Sequence, residues 1–434
     1  MKIIHTADWH FREKDHDEIY KCVRYIADRA AIEQPDLIII SGDITDSRHL
    51  DLDSRSARSI LEIISFMLDV APVAIVIGTP SHDGKASLAL RSCRGKHPIL
   101  VSDRPEQFGY FNKEKRFYNI KRVDFEIDEL DFVITQIPQP TKQYFVNDMS
   151  IEDTDKAISN AMDAIFASFG GAAEKFENIP HIVNGHGQIG GAFISETQQL
   201  IGRDIEISKS QLSILNADLI CYGHLHLRQD MGDYILYAGS PTRMNHGETE
   251  DKGFWIHKLL DSGQLSVAEF IKTPARYLHD AKFDLTNKKD DIDIMPTIES
   301  MCEGIAEDYS DWGCKITITV WQDEAKTVSR SAIEDLLCEY NAQTMIVNIV
   351  RKPRETVRAE KVLEAENLPD KIKAMAELRG EKIDDSILNK AALLESGEKE
   401  PWKCESYSIN NVDVFINGKK VVPCSEDVIS ISQD

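Results

Sequence analysis

The sequence predicts a layered α/β core whose strands end in polar, metal-loving residues, and three observations predict it. Short apolar runs recur at Lys2-Ile3-Ile4, Leu37 to Ile40, Val73 to Ile77, His181-Ile182-Val183 and Leu219-Ile220-Cys221, each the length of a buried strand. Between them, Asp17 to Ala31, Leu52 to Leu68, Ile151 to Phe169 and Lys209 to Leu215 read as helices, and strands alternating with helices build a sheet covered by helices. Each run is followed by His, Asp or Gly: Asp8-Trp9-His10, Gly42-Asp43, Ser81-His82-Asp83, Gly185-His186 and Gly223-His224-Leu225-His226. Residues placed where strands emerge converge on one crevice.

The remaining elements follow in order. Arg116 to Gln136 alternates polar and apolar residues around Phe125, Ile127, Phe132 and Ile134, as antiparallel strands do. After the Gly239-Ser240-Pro241 turn, Gly253 to Ile271 reads as a hairpin around Asp261-Ser262-Gly263. A small α+β module is expected over 281–352, with strands Lys282 to Leu285, Lys315 to Trp321 and Met345 to Val350 and helices Met295 to Tyr309 and Ser329 to Tyr340. Pro296 and Ser329 are the helix-start signals. Residues 353–400 turn charged and helical, with apolar positions Ile372, Met375 and Ala376 before Gly380, and Ile387, Leu388, Ala391 and Leu394 after Asp384. The tail, 401–434, suggests a hairpin of Asp413 to Ile416 and Lys419 to Val422 joined by Asn417-Gly418, a type I′ turn signal.

The polar set defines the chemistry. Paired divalent cations need a bridging carboxylate and terminal N or O ligands, and they neutralise charge on a phosphoryl group while lowering the pKa of a shared water. Imidazoles mixed with carboxylates suit manganese, iron or zinc better than calcium. His5, His181 and His257, each inside an apolar run, read instead as hydrogen-bonded structural residues with no metal role. Neither a GxSxG nucleophile elbow nor a GxxxxGK[ST] phosphate loop occurs, so neither a serine nucleophile of that kind nor ATP hydrolysis by this chain is expected.

These motifs resemble the calcineurin-like metallophosphoesterase superfamily, whose pattern runs DxH, GDxxD, GNHD, a strand ending in GH, and GHxH. The stretch Tyr237 to Met244 with Gly247-Glu248, and the layout of the C-terminal half, resemble more narrowly the SbcD-type nuclease subunits of double-strand-break repair. The resemblance implies a two-sheet sandwich flanked by helices over 1–275, a capping domain over 281–352, and a helical arm at 366–396 that grips an SbcC-type coiled-coil ATPase. It also implies DNA as substrate, cut from duplex ends and within single strands, and a homodimer. Carried over by position, Asp8, His10 and His226 hold a first metal, Asp43 bridges, and His186 and His224 hold a second. His82 orients the scissile phosphate or protonates the leaving oxygen, a role suited to a pKa near about 6.5. Asp46 orients other groups rather than ligating.

One segment departs from the pattern. GNHD is written Gly78-Thr79-Pro80-Ser81-His82-Asp83, and counting back from His82 puts Ser81 in the slot of the metal-binding Asn. A hydroxyl is a shorter, poorer ligand than an amide oxygen, so weak second-metal binding, steep metal dependence and a preference for manganese are expected, with magnesium, iron or zinc as the alternative ions.

At 434 residues the chain is long enough for two or three domains. Its longest apolar runs fall short of the roughly 18 residues of a membrane span, so a soluble cytoplasmic protein with no membrane contact is expected. Eight cysteines lie scattered without CxxC pairing, which favours free thiols. A net charge of −23 repels a polyanion, so metals, a basic partner, or the local Arg55, Arg58, Arg91, Arg94 and Lys96 would have to draw DNA in. The alternative for the arginines is an ordinary solvated helix face, and for the helical arm packing back on its own chain. Two other readings remain open: a stand-alone small-molecule or cyclic-nucleotide phosphodiesterase, and a scaffold that keeps the fold without catalysis.

Overall fold

A computed structural model describes residues 1–49, 51–121, 130–140, 151–176, 178–195, 198, 205–260, 265–286, 293–353, 362, 364–396, 415–416 and 419–420. The chain divides into two compact units, 1–352 and 353–434. In the first, the strands that come before the small module are β1 (Lys2–Thr6), β2 (Leu37–Ile40), β3 (Val73–Val76), β4 (Ile99–Ser102), β5 (Glu106–Phe111), β6 (Arg116–Asn119), β7 (Phe132–Ile137), β8 (His181–His186), β9 (Gln188–Ile189), β10 (Glu206–Ile207), β11 (Leu219–Gly223), β12 (Gln229–Asp230), β13 (Ile235–Tyr237), β14 (Gly253–Leu259) and β15 (Leu265–Lys272). With them run helices α1 (His16–Glu33), α2 (Arg55–Val70), α3 (Ile151–Ala173) and α4 (Lys209–Ser213).

The strands form a six-stranded sheet, β15-β14-β1-β2-β3-β4, and a seven-stranded sheet, β12-β13-β11-β8-β7-β5-β6, with β9 and β10 as a separate pair. β1 to β4 run parallel, as do β7, β8, β11 and β13. Strands such as Leu-Ile-Ile-Ile and Val-Ala-Ile-Val are apolar on both faces because both faces are covered. Alternate residues of a strand point opposite ways. Ile3, Leu37, Ile39 and Ala74 therefore meet Phe132, Ile134, Ile182 and Leu219 between the sheets. Ile4, Ile38, Ile40 and Ile75 face Ile26, Ile60, Ile63 and Met67 of α1 and α2. On the far side, Val183, Ile220 and Tyr222 pack against Ile158, Met162, Phe166 and Leu212 of α3 and α4. Burial of each such large side chain stabilises by about 1.5–3 kcal/mol. The result is the two-sheet sandwich flanked by helices expected from the resemblance.

Helix starts follow local chemistry. Ser54 caps α2 by accepting from Ala57 N, and Ser208 makes a capping box with Gln211 at α4. The alternation in Arg116 to Gln136 resolves into β6 and β7, which pair with β5 rather than with each other; Phe125 and Ile127 lie outside the described residues, as does the Asp261-Ser262-Gly263 turn between β14 and β15.

The module at the end of the first unit comprises β16 (Tyr277–Asp284), α5 (Met295–Asp308), β17 (Trp312–Trp321), α6 (Arg330–Glu339) and β18 (Thr344–Lys352). Its three strands are all parallel, β17 in the centre. The expected α+β character is thereby corrected to an alternating β-α-β-α-β arrangement, because each helix serves as the crossover that parallel neighbours require. Ser329 caps α6, Pro296 opens α5, and Ile298, Cys302, Ile316, Ile318, Ile333 and Leu337 form a separate core. In the second unit α7 (Leu368–Arg379) and α8 (Asp385–Ser396) pack on each other, with Asn367 capping α7 and Gly380 closing it in the left-handed region at φ +67°. Ala376 and Ala391 are buried, whereas Met375, Ile387 and Leu394 are exposed. β19 (Phe415–Ile416) and β20 (Lys419–Lys420) pair antiparallel; the Asn417-Gly418 turn lies outside the described residues. Among the described residues no helix is long and apolar enough to cross a membrane, and six cysteines are free thiols, five of them buried.

Candidate metal centre

The polar residues converge at the C-terminal ends of strands from both sheets. Asp8 and His10 follow β1, Asp43 follows β2, Thr79 and His82 follow β3, His186 ends β8, and His224 and His226 follow β11. Four of them hold left-handed backbone: Asp8 at φ +54°, His10 at +47°, Asp43 at +51° and His224 at +101°. Such conformations cost on the order of 1–3 kcal/mol each. Local bonds offset the strain, since Asp8 N donates to Gly42 O and His10 N to Asp43 O, both at 3.0 Å, and His224 N donates to both Asp8 carboxylate oxygens at 2.9 and 3.1 Å. Gly42, at φ +81°, lies so close to His186 that a Cβ there would strike the imidazole, and one at Gly78 would strike the Asp43 carboxylate.

Asp43 is the hub. Its Oδ2 lies 3.3 Å from His186 Nε2 and 3.9 Å from His10 Nε2. Its Oδ1 accepts from Thr79 N at 2.6 Å. Burial pushes this carboxyl up, but His186, His10 and His82 together hold it well below the carboxylate range. His186 answers in kind: burial pulls its pKa down, and Asp43 and Asp8 raise it to about 9. His186 Nδ1 donates to Ser41 O at 2.6 Å, which leaves Nε2 as the nitrogen facing Asp43.

On the other side, His226 Nε2 and His10 Nε2 face each other at 3.2 Å. Asp46 sits 3.4 Å from His10 Nδ1, and its carbonyl takes His82 Nδ1 at 3.2 Å. It thus touches two site histidines. His82 packs edge-on to His10, with ring centroids 4.7 Å apart. With Nδ1 tied to Asp46, Nε2 is the His82 nitrogen left for a substrate. Buried Asp83 holds the loops together by accepting from Ile44 N, Thr45 N and Gly78 N at 3.0–3.3 Å. Burial and nearby Asp43 raise its pKa.

Two residues exchange places relative to the sequence expectation. Ser81 is exposed, and its carbonyl accepts from Arg48 N at 3.0 Å. The hydroxyl that enters the site belongs to Thr79, whose Oγ1 lies 3.1 Å from Asp43 Oδ2, 3.3 Å from His186 Nε2 and 3.5 Å from His224 Nδ1. Counting forward from Gly78 instead of back from His82 would have found it. Gln198, which no motif marked, joins the two GHxH histidines by donating to His224 O at 2.7 Å and accepting from His226 N at 3.0 Å. The candidate arginines are occupied locally: Arg55 pairs with Asp17, Arg58 with Asp53 and Arg91 with Asp103, and Arg94 donates to the carbonyls of Arg91 and Cys93.

The donor set fits two divalent cations. Ligand atoms of Asp8, His10 and Asp43 lie within 4.8 Å of one another, as do those of Asp43, His186 and His224, so the two groups share Asp43. Facing imidazole nitrogens at 3.2 Å need either a shared proton or a cation between them, and the mixed O/N donors suit borderline divalent metals.

A two-sheet sandwich carrying such a centre across its strand ends defines a metallophosphoesterase. The calcineurin-like phosphoesterase family model matches residues 1–228, and the chain belongs to that family. It is 26% identical over 266 residues to the SbcD component of the SbcCD nuclease from Staphylococcus saprophyticus, a match covering 59% of this chain and 65% of that relative. To the protein of the same name from Staphylococcus epidermidis it is 24% identical over 285 residues, covering 62% and 69%. The chain thus spans just under two thirds of the length of the first of these relatives. Among solved structures, a dimetal phosphatase from Danio rerio aligns with a TM-score of 0.36 and 11% identity over 60% of this chain and 92% of that one.

Proposed function

We propose that the chain is the nuclease subunit of an SbcCD-like complex, hydrolysing DNA phosphodiesters in recombination, repair or replication as an exonuclease on duplex ends and an endonuclease on single strands. The observation that carries the reading is the convergence of two His/Asp groups on one buried Asp43, in a chain similar to two proteins named as nuclease subunits. In this reading Asp8, His10 and His226 hold one divalent cation, His186 and His224 with the Thr79 hydroxyl hold the other, and Asp43 bridges. When bound, the metals, of which manganese is the proposed pair, activate water and neutralise phosphoryl charge. His82, anchored by Asp46, presents Nε2 to the leaving oxygen for proton donation.

The remaining assignments belong to the same proposal. Residues 281–352 cap the site and help select the DNA form, and 366–396 dock on an SbcC-type coiled-coil ATPase through the exposed Met375, Ile387 and Leu394 face. The protein works as a cytoplasmic homodimer, and its basic partner offsets the −23 charge. The test is digestion of end-labelled duplex and single-stranded DNA in manganese, with His82→Ala and a phosphodiester dye as controls. Cleavage that His82→Ala abolishes is the expected result. Dye hydrolysis with DNA left intact, even after addition of the ATPase, overturns the nuclease reading in favour of a small-molecule phosphodiesterase.

A further inference from the structure

Behind His226 lies a charge pair that the metal centre does not itself require. Glu248 and Lys252 are both buried, with the Lys252 Nζ 2.5 Å from Glu248 Oε2. Removing two charges from water is costly and is tolerated only where further hydrogen bonds complete their shells. Here they do. Glu248 Oε2 also accepts from Met244 N at 3.1 Å, and Oε1 from Asn245 Nδ2 at 3.0 Å. Lys252 Nζ donates in addition to Glu250 at 2.6 Å and to the carbonyl of His226 itself at 3.2 Å.

The remaining direction of Glu248 Oε1 is toward His226 Nδ1, 3.7 Å away. That nitrogen is buried and has no hydrogen-bond partner among the described residues, so the Glu248 carboxylate is the charge that faces it, while the other ring nitrogen, Nε2, is the one facing His10 Nε2 at 3.2 Å. A neutral imidazole carries one proton on one nitrogen and a lone pair on the other. We propose that Glu248, paired with Lys252, is the positioning residue for His226: its carboxylate keeps the ring proton on Nδ1, so that Nε2 offers its lone pair to the cation shared with His10. Lys252 has two tasks, neutralising the carboxylate and pinning the His226 backbone. The inference rests on the metal-centre reading above and assigns Glu248 no contact with substrate.

The test is calorimetric titration of the full chain with Mn²⁺, for the wild type, Glu248→Ala, and the double variant Glu248→Gln with Lys252→Met, which leaves no unpaired buried charge. In Glu248→Ala, one of the two Mn²⁺ affinities should fall roughly 10–100-fold, as when a carboxylate behind a metal-bound histidine is lost, and the other should stay within about twofold. The double variant, which keeps a hydrogen-bond acceptor opposite Nδ1, should fold and lose less. If Glu248→Ala folds poorly, the double variant decides alone: both affinities at wild-type values overturn the proposal, and a selective loss at one site supports it. A uniform loss at both sites in either variant also overturns it, since that marks general loosening. Wild-type chain that binds two Mn²⁺ but leaves DNA uncut would sink the nuclease reading and leave this one standing; variants with unchanged metal binding and intact DNA cleavage would do the reverse.

Discussion

β8 carries two buried histidines five residues apart, and the protein makes opposite use of them. His181, at the strand's start, meets Thr135 Oγ1 at 2.8 Å, and burial draws its pKa down to about 4. His186, at the strand's end, is at least as buried, yet its pKa rises to about 9 because Asp43 stands 3.3 Å away. The contrast repeats along β1. His5 lies between the sheets, 3.4 Å from His257, and both rings are held neutral by burial, His257 at about 3; His10, past the strand's end, joins the carboxylates. Residue type and burial are therefore not what makes a site. A strand interior packs against an apolar layer, whereas a strand end meets loops that can deliver a second charge.

The most direct way to erase this contrast is to remove the shared carboxylate. Asp43→Asn deprives His186 of what separates it from His181 and takes the bridging oxygen from both metal groups. Phosphodiester hydrolysis should fall by about 10³-fold or more, the equivalent of several kcal/mol of charge stabilisation, and metal analysis should show fewer than two bound ions. Hydrolysis within tenfold of wild type would mean that Asp43 is no hub. His82→Ala should follow, with kcat lower by about 10²–10⁴-fold, the usual worth of a positioned proton donor, and metal content unchanged. Loss of metal in that variant would move His82 from proton donor to ligand.

That division was partly legible in the sequence. Asp8, His10, Asp43, His186, His224 and His226 stand in motifs at the ends of apolar runs, and the same rule set His5, His181 and His257 apart as interior residues. The alternation of apolar runs with helices indicated a layered α/β core, the two-sheet sandwich itself being implied by the family resemblance, and Ser329 and Pro296 marked helix starts by their own chemistry. What escaped has a common cause. Gln198, Glu248 as a partner of His226, and the bond of Asp46 O to His82 are set by which loops meet in space, and sequence spacing carries no record of that. The pairing of both β6 and β7 with β5 was hidden for the same reason, since alternation reports that a strand is half-buried and not which neighbour it has.

The interior histidines give a smaller and separable effect on stability. His181 and His257 are neutral in the folded chain with pKa values of about 4 and about 3, while in the unfolded chain each takes a proton below about 6.5. Their folded values are depressed, so the unfolded state binds more protons as the pH falls. Their contribution is thus fully present above about 6.5 and is lost progressively toward 4 and below. Denaturant unfolding of the metal-free chain at pH 7, 5.5 and 4.5 should show this loss. His181→Gln should flatten it by up to about 1.4 kcal/mol per pH unit, the limit for one proton. An identical slope in wild type and variant would show that His181 is protonated in the fold.

The finest distinction lies between two neighbouring hydroxyls on one loop, Thr79 and Ser81. Thr79 N and Oγ1 both reach Asp43, and Oγ1 stands beside His186 and His224; Ser81 is exposed, with its carbonyl engaged by Arg48. The Gly78 backbone leaves no room for a side chain beside Asp43, so the residue immediately after it is the one delivered into the centre. Thr79→Val preserves shape and the backbone donor but removes the oxygen, and should weaken the second Mn²⁺ by about tenfold, the low end for loss of a group supporting a metal site. Thr79→Asn supplies a longer amide oxygen and should tighten the same ion and reduce the metal concentration needed for activity. Ser81→Asn should leave Mn²⁺ titrations as they are. Tighter binding from Ser81→Asn, with none from Thr79→Asn, would return the serine to the ligand slot and place the insertion before it, between Gly78 and Ser81, rather than after Thr79.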